Sequence, residues 1–210
     1  MVRIVLAEDH TIVRKGLIRL LKDEIPNIEV GEASNSIELN QLLHVEKWDM
    51  VISDITMPGR SGIDNLKQIK ELYPDLPVLM LSMHPEEQYA IRSLKGGASG
   101  YITKESAPDE LVLAVKTILA GRKYISAHLA EHLANHLSDK RKGSLLHESL
   151  SDREFDVLIL IASGKTVSEI AVELSLSVTT ISTYRSRILE KMEMRTNAEL
   201  THYAVTQALL

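Results

Sequence analysis

The sequence contains no cysteine, which excludes disulfides, thiolate catalysis and Cys-ligated zinc and fits a reducing cytosol. Aromatic residues are scarce, with one Phe and one Trp. Ile, Val and Leu must therefore fill the core, which suits buried parallel strands and amphipathic helices. No apolar run approaches the roughly 18 residues of a membrane span. Met1-Val2-Arg3-Ile4-Val5-Leu6 runs straight into charge at Glu8-Asp9 and does not read as a signal peptide. Positive charge is not in excess. The formal net charge is −5, so the whole chain carries no basic signature for nucleic acid. Internal repeats and low-complexity stretches are also lacking. A length of 210 residues favours one or two domains.

What is present alternates. Short apolar runs at 3–7, 29–33, 50–54, 78–82 and 100–103 read as strands. Helical periodicity follows each one, at 11–24, about 36–45, 62–72, 86–96 and 108–120. Ser36 is the expected N-cap of the second helix. Met57-Pro58-Gly59-Arg60-Ser61-Gly62 is a loop. Gly96-Gly97 ends the fourth helix and Gly121 the fifth. Five strand–helix alternations imply right-handed crossovers and an α/β doubly wound, parallel five-stranded sheet. A further helix is expected at 126–137, then a polar linker through Ser138-Asp139-Lys140-Arg141-Lys142-Gly143-Ser144. From Leu150 the pattern changes to four short helices, about 152–163, 167–174, 178–193 and 196–208, with a tight turn at Ser175 to Ser177. The expected division is 1–122, a partly helical linker at 123–149, and a small all-α domain at 150–210.

Doubly wound sheets bind ligands at the carboxyl ends of their strands. That rim would collect Glu8 and Asp9 from the first strand, Asp54 from the third, Ser82 from the fourth, and Thr103 and Lys104 from the fifth. Each taken alone reads as a solvated loop residue; their coincidence on one rim points to a site. Three adjacent carboxylates repel, and a divalent cation such as Mg²⁺ relieves the repulsion. A carboxylate such as Asp54 can attack phosphorus to form an aspartyl-phosphate, and positioning then supplies most of the catalysis. Lys104 would pair with a phosphoryl oxygen. Ser82 would donate a hydrogen bond to the new group and draw its loop inward, and Tyr101 would swing into the vacated space. Gly96-Gly97-Ala98-Ser99-Gly100 lies between a helix and a following strand. That is the wrong order for a nucleotide-binding loop, so it reads as a helix stop and turn.

Ala7-Glu8-Asp9-His10, Asp54-Ile55-Thr56-Met57-Pro58-Gly59, Leu81-Ser82 and Tyr101-Ile102-Thr103-Lys104 occur in order. Residues 1–121 thereby resemble the receiver domain of bacterial two-component response regulators, a flavodoxin-like fold. The resemblance implies Asp54 as phosphoacceptor, Asp9 as the direct Mg²⁺ ligand, Glu8 acting mainly through water, and the Thr56 carbonyl as a further ligand. It departs slightly at Glu8, where Asp is also common; that bears on metal affinity.

Between 150 and 210 there are six Lys and Arg against eight acids. Arg185, Arg187 and Lys191 nevertheless fall on the helix at 178–193, and phosphate binding needs cations on one face rather than a basic average. Ser177, Thr179, Thr180, Ser182, Thr183 and Tyr184 add polar donors, while Ile181, Ile188 and Met192 form the expected buried stripe. A helix, a short turn and a hydroxyl-rich second helix match a helix-turn-helix; the plainer reading is a solvated amphipathic helix. Leu150-Ser151-Asp152-Arg153-Glu154, Ile161-Ala162-Ser163-Gly164-Lys165, Glu169-Ile170-Ala171 and Thr180-Ile181-Ser182-Thr183-Tyr184 resemble the LuxR-type effector domain. The two parts together resemble the NarL/FixJ subgroup along nearly the whole chain. Thr179 and Ser182 stand where Lys is common, and Tyr184 where His is common, which shifts expected phosphate contacts toward Arg185 and Arg187.

The resemblance implies a histidine kinase or a small phosphodonor as the source of the phosphoryl group, and double-stranded promoter DNA as the target. It also implies a homodimer when phosphorylated; a cytoplasmic location is expected, as is an unphosphorylated receiver that covers the recognition helix through the 138–149 linker. The receiver would catalyse its own phosphorylation and slow dephosphorylation without being an enzyme in the ordinary sense. An aspartyl-phosphate phosphatase of the haloacid-dehalogenase kind is the enzyme alternative, but Thr56 occupies the place of its second Asp. A phosphorylation-independent DNA-binding protein and a protein-interaction adaptor are the others. His128, His132 and His136 recur every four residues on one helix face, spacing adequate for a transition metal. The parallel stripe Leu129, Leu133 and Leu137 explains that helix without one.

Overall fold

The computed structural model describes residues 1–57, 62–139, 145–207 and 209–210. Five strands, β1 (Val2–Ala7), β2 (Ile28–Ala33), β3 (Met50–Asp54), β4 (Val78–Ser82) and β5 (Gly100–Thr103), alternate with α1 (Thr11–Glu24), α2 (Ser36–Val45), α3 (Gly62–Leu72), α4 (Glu86–Lys95) and α5 (Ala107–Leu119). All four ladders are parallel and the spatial order is β2-β1-β3-β4-β5. The chain therefore reverses its winding between β1 and β3, which opens a crevice at the carboxyl ends of those two strands. The sheet is the expected one.

Alternation within the strands feeds two faces. Ile4, Leu6, Met50, Ile52, Leu79, Leu81 and Ile102 pack with Leu17, Ile18 and Leu21 of α1 and Leu111, Val115 and Ile118 of α5. Val5, Val51 and Met80, also fully buried, alternate onto the other face. β3 and β4 are buried along their entire length; in sequence they open on the apolar runs Met50–Ile52 and Val78–Leu81 and end in polar residues. At α2 the expected cap is off by one position. Asn35, not Ser36, is the N-cap, and its side chain accepts from the backbone N–H of Ile37 and Glu38. Both residue types cap well, and the Asn carboxamide oxygen reaches two orphan donors from the earlier position.

Gly62 begins α3 because nothing larger fits. A Cβ there would lie 2.4 Å from Ile55 Cα, and the Gly62 N–H donates to Ile55 O at 3.0 Å. This contact folds the chain back immediately after Asp54. The intervening loop, 58–61, lies outside the described residues.

Clustering of contacts gives two compact units, Met1–Glu131 and His132–Leu210, with the division inside α6 (Ala127–Asp139). The side chains of His132, His136 and Leu137, invoked above for metal binding or packing, and the polar stretch at 140–144 lie outside the described residues. Beyond the end of α6, the described residues of the second unit form a 3₁₀ turn at Leu146–Ser149 and four helices, α7 (Asp152–Ala162), α8 (Val167–Glu173), α9 (Val178–Lys191) and α10 (Asn197–Thr206). No strand occurs there among the described residues. Ser-x-x-Glu and Thr-x-x-Glu at Ser151/Glu154 and Thr166/Glu169 form reciprocal capping boxes that start α7 and α8. α7 packs on α9 and α10, and α8 packs on α9. Ile181, Ile188 and Met192 are buried, as their periodicity requires.

Candidate functional site

The crevice between β1 and β3 gathers the expected side chains from sequence positions far apart. Lys104 Nζ lies 2.8 Å from Asp54 Oδ2 and 2.6 Å from Glu8 Oε2. The Thr56 N–H donates to Asp54 Oδ1 at 3.0 Å, which sets residue 56 directly beside the carboxylate. Glu8 and Asp54 are fully buried. One ligand atom each from Glu8, Asp9, His10 and Asp54 falls within 4.8 Å of the others. His10 is the member that sequence reasoning passed over, although it directly follows the two acids. Its Nδ1 lies 3.0 Å from Glu8 Oε1 and 2.8 Å from Asp9 Oδ1.

Negative charge is under-compensated here. Burial pushes the Asp54 carboxyl up to about 6, and Glu8 adds to the rise; Lys104 and the Thr56 N–H oppose it without winning. Burial alone would lower Lys104, but Asp54 and Glu8 outweigh it and hold the ammonium above its ordinary pKa. A single ammonium serves two buried carboxylates, which is enough to raise Lys104 but not enough to offset the burial of Asp54. The cation is held firmly while the anions remain in deficit. Glu8 Oε2 and Asp9 Oδ1 are buried and accept no aligned hydrogen bond, although Lys104 Nζ lies 2.6 Å from the first and His10 Nδ1 2.8 Å from the second. Hard oxygen donors with unmet acceptor capacity and excess negative charge suit a divalent cation.

Ser82 is buried one position past the Asp54–Leu81 register pair, and its carbonyl accepts from the Lys104 N–H at 2.7 Å. Its Oγ accepts from the His84 N–H at 3.0 Å. Tyr101 is fully buried, and its hydroxyl donates to His84 O at 2.8 Å. Both side chains therefore grip the loop that follows β4.

In the second unit, α9 presents the hydroxyl-rich face. Ser177 caps it through the Thr180 N–H, and Ser177 Oγ also meets Thr180 Oγ1 at 2.8 Å. Thr183 Oγ1 donates back to Thr179 O. Thr179, Ser182 and Arg187 are exposed, and Arg187 makes no ion pair among the described residues. Tyr184 and Arg185 are half-buried, and Arg185 Nε donates to Asn197 Oδ1 at 2.6 Å. Lys191 is held differently from its grouping in the sequence. Its Nζ bonds Glu154 Oε2 at 2.6 Å, and Glu154 is a buried capping carboxylate of α7. Burial raises the Glu154 pKa, but Lys191 and the Ser151 N–H and hydroxyl overcome it and hold the carboxyl below its usual range. Lys191 thus ties α9 to α7. No described helix is long and apolar enough to cross a membrane.

This geometry, a charged rim on a 2-1-3-4-5 sheet joined to a helix-turn-helix, defines a class: a receiver coupled to a DNA-reading module. Residues 4–116 match the response regulator receiver domain, and residues 148–204 match the bacterial regulatory proteins of the luxR family. The response regulator UvrY of Escherichia coli strain K12 is 33% identical over 210 residues, covering 100% of this chain and 96% of that protein. The oxygen regulatory protein NreC of Staphylococcus epidermidis is 34% identical, covering 99% of each. Among solved structures, RcsB of Salmonella enterica serovar Typhimurium, bound to the rprA promoter with the phosphomimetic BeF₃⁻, superposes with a TM-score of 0.65. The identity there is 28%, over 97% of this chain and 98% of the other. The chain belongs to the NarL/FixJ-type bacterial response regulators and is a phosphorylation-controlled, DNA-binding transcription regulator.

Proposed function

We propose that Asp54 is the phosphoacceptor and that its modification controls promoter binding by α9. The observation that carries this reading is the buried Asp54 carboxylate between Lys104 Nζ and the Thr56 N–H, with Glu8 and Asp9 alongside. A histidine kinase supplies the phosphoryl group as a phosphohistidine, and a small phosphodonor can substitute. An Asp54 carboxylate oxygen bonds to phosphorus as the P–N bond breaks, and the imidazole leaves with the electron pair and takes up a proton. Lys104 binds a phosphoryl oxygen. Ser82 exchanges its bond to the His84 N–H for one to the phosphoryl group, and Tyr101 follows the loop as it re-forms. The same pocket supports self-phosphorylation and slow self-dephosphorylation.

Asp9, Asp54 and the Thr56 carbonyl would hold Mg²⁺ or another divalent cation, with Glu8 acting mainly through water, and the cation would supply neutralisation of the phosphoryl oxygens. Ligands must be deprotonated, so affinity falls as pH drops through the Asp54 pKa of about 6. Saturating Mg²⁺ at pH 7.5 is expected to stabilise the wild type by about 2–3 kcal/mol in thermal unfolding. The gain should be largely lost at pH about 5 and absent in Asp9→Ala at either pH. An equal gain in Asp9→Ala would remove Asp9 from the site.

The working division is a receiver at 1–122, a linker at 123–149 and a DNA-binding domain at 150–210. Thr179, Thr180, Ser182, Thr183, Tyr184, Arg185 and Arg187 form the reading face, and Lys191 contributes by fixing α9 on α7. The regulator acts in the cytoplasm as a phosphorylated homodimer on two half-sites. Arg187, exposed on α9 and without an ion pair among the described residues, is the cleanest phosphate contact. Arg187→Ala is expected to weaken promoter binding and to reduce the salt slope by about 1 per half-site without altering phosphorylation. The test is a fluorescence-anisotropy salt titration; an unchanged slope would place Arg187 outside the interface.

A further inference from the structure

Glu86 is a buried carboxylate that the phosphoacceptor pocket does not use. It is the first residue of α4 and only 7% exposed. Ser126 Oγ donates to it, 2.7 and 2.8 Å from its two oxygens, and His128 Nδ1 lies 3.2 Å from Oε2. The same Ser126 hydroxyl accepts from the Leu129 N–H at 3.0 Å, and the Ser126 carbonyl accepts from the Ala130 N–H at 3.0 Å. Ser126 therefore caps α6, and the Glu86 side chain sits at the positive end of that helix.

The residues just before Glu86 are the ones gripped by the readout side chains. Ser82 Oγ takes the His84 N–H, and the Tyr101 hydroxyl donates to His84 O and, at 3.4 Å, Pro85 O. Glu86 follows Pro85 directly. The chain leading to Ser126 is fixed on its other side. The Tyr124 N–H donates to Ser99 O at 2.9 Å, and Gly100 allows a close approach, since a Cβ there would lie 3.0 Å from Tyr124 O. A shift of residues 84–85 must therefore be absorbed at the Glu86–Ser126 bond or passed through it.

We infer that Glu86 and Ser126 are positioning residues that couple the loop after β4 to the start of α6, the helix leading toward the DNA-binding unit. This rests on Asp54 as phosphoacceptor and Ser82 as its readout. No atom is transferred; the coupling is mechanical and electrostatic.

Hydrogen exchange on the full chain, with and without acetyl phosphate and Mg²⁺, tests it in wild type, Glu86→Ala, Glu86→Gln, Ser126→Ala and Asp54→Asn. Without phosphodonor, Glu86→Ala should speed exchange of the Leu129 and Ala130 amides about tenfold, and Glu86→Gln less, because its amide oxygen still accepts. With phosphodonor, wild type should change at 83–86 and 127–131 together. Glu86→Ala and Ser126→Ala should take up phosphate and change at 83–86 alone. If 127–131 responds in these variants as in wild type, or if the tenfold difference is missing, the coupling is overturned. If wild type takes up no phosphate, or Asp54→Asn responds as wild type does, the Asp54 reading fails and carries the coupling with it.

Discussion

Replacing Asp54 with Asn is expected to abolish phosphoryl uptake and, at pH 7 without divalent cation, to make the receiver more stable. Both effects have one origin. The Asp54 carboxylate, the proposed phosphoacceptor, is buried beside Glu8, and burial raises its pKa from 3.8 to about 6. Because the folded pKa lies above the unfolded one, the folded state holds the proton more tightly. That contribution is full below pH about 4 and is lost as pH rises through about 6. At pH 7 the folded protein bears the whole cost of the buried charge, at most about 3 kcal/mol. An Asn removes the charge and can keep the bond from the Thr56 N–H. Urea unfolding in chelator should therefore show Asp54→Asn more stable by about 1–3 kcal/mol at pH 7 and no different at pH about 4. Phosphate-affinity electrophoresis should show no shifted band. Equal stability at pH 7 would mean that Lys104 compensates the carboxylate fully.

Lys104→Met is expected to act in the opposite direction and more strongly. It leaves Glu8 and Asp54, both fully buried, without the ammonium that lies within 2.8 Å of each. Removing one partner of a buried ionic cluster typically costs about 3–5 kcal/mol. The loss should be greatest at neutral pH, shrink as acid protonates the carboxylates, and be partly reversed by Mg²⁺. Methionine retains the volume, so packing contributes little. A loss below about 1 kcal/mol in urea unfolding at pH 7 would contradict the shared-ammonium picture. Phosphorylated Lys104→Met should also fail to increase promoter affinity, because the phosphoryl group lacks the partner that fixes it.

The centre of the sheet was legible because β3 and β4 are buried along their whole length. Met50 to Ile52 and Val78 to Leu81 are apolar runs, each followed by buried polar residues at the strand end. The site was legible for the same reason, since strand ends of a doubly wound sheet share one rim. Side-chain states and long-range pairing were not. Tyr101 lies inside, held by His84 O, and its rotamer leaves no trace in the sequence. Lys191 shares a helix with Arg185 and Arg187, but Glu154, 37 positions earlier, takes it. The cap of α2 was misplaced because Asn35 and Ser36 are adjacent residues of equal capping power. His10 was visible in the sequence, but only the fold turns its ring onto Glu8 and Asp9. Glu86 and Ser126, 40 positions apart, pair only because α4 and the chain after α5 meet beside β5.

Charge placed on Asp54 is expected to change what α9 does to DNA. The most direct test is promoter affinity of wild type and Asp54→Asn at one fixed salt concentration, with and without acetyl phosphate and Mg²⁺. Fixed salt matters because the phosphate contacts make affinity steeply salt-dependent. The account predicts that phosphodonor tightens wild-type binding by about tenfold or more, the low end of typical allosteric coupling, and leaves Asp54→Asn at its unphosphorylated value. Equal affinities for both proteins under both conditions would contradict it.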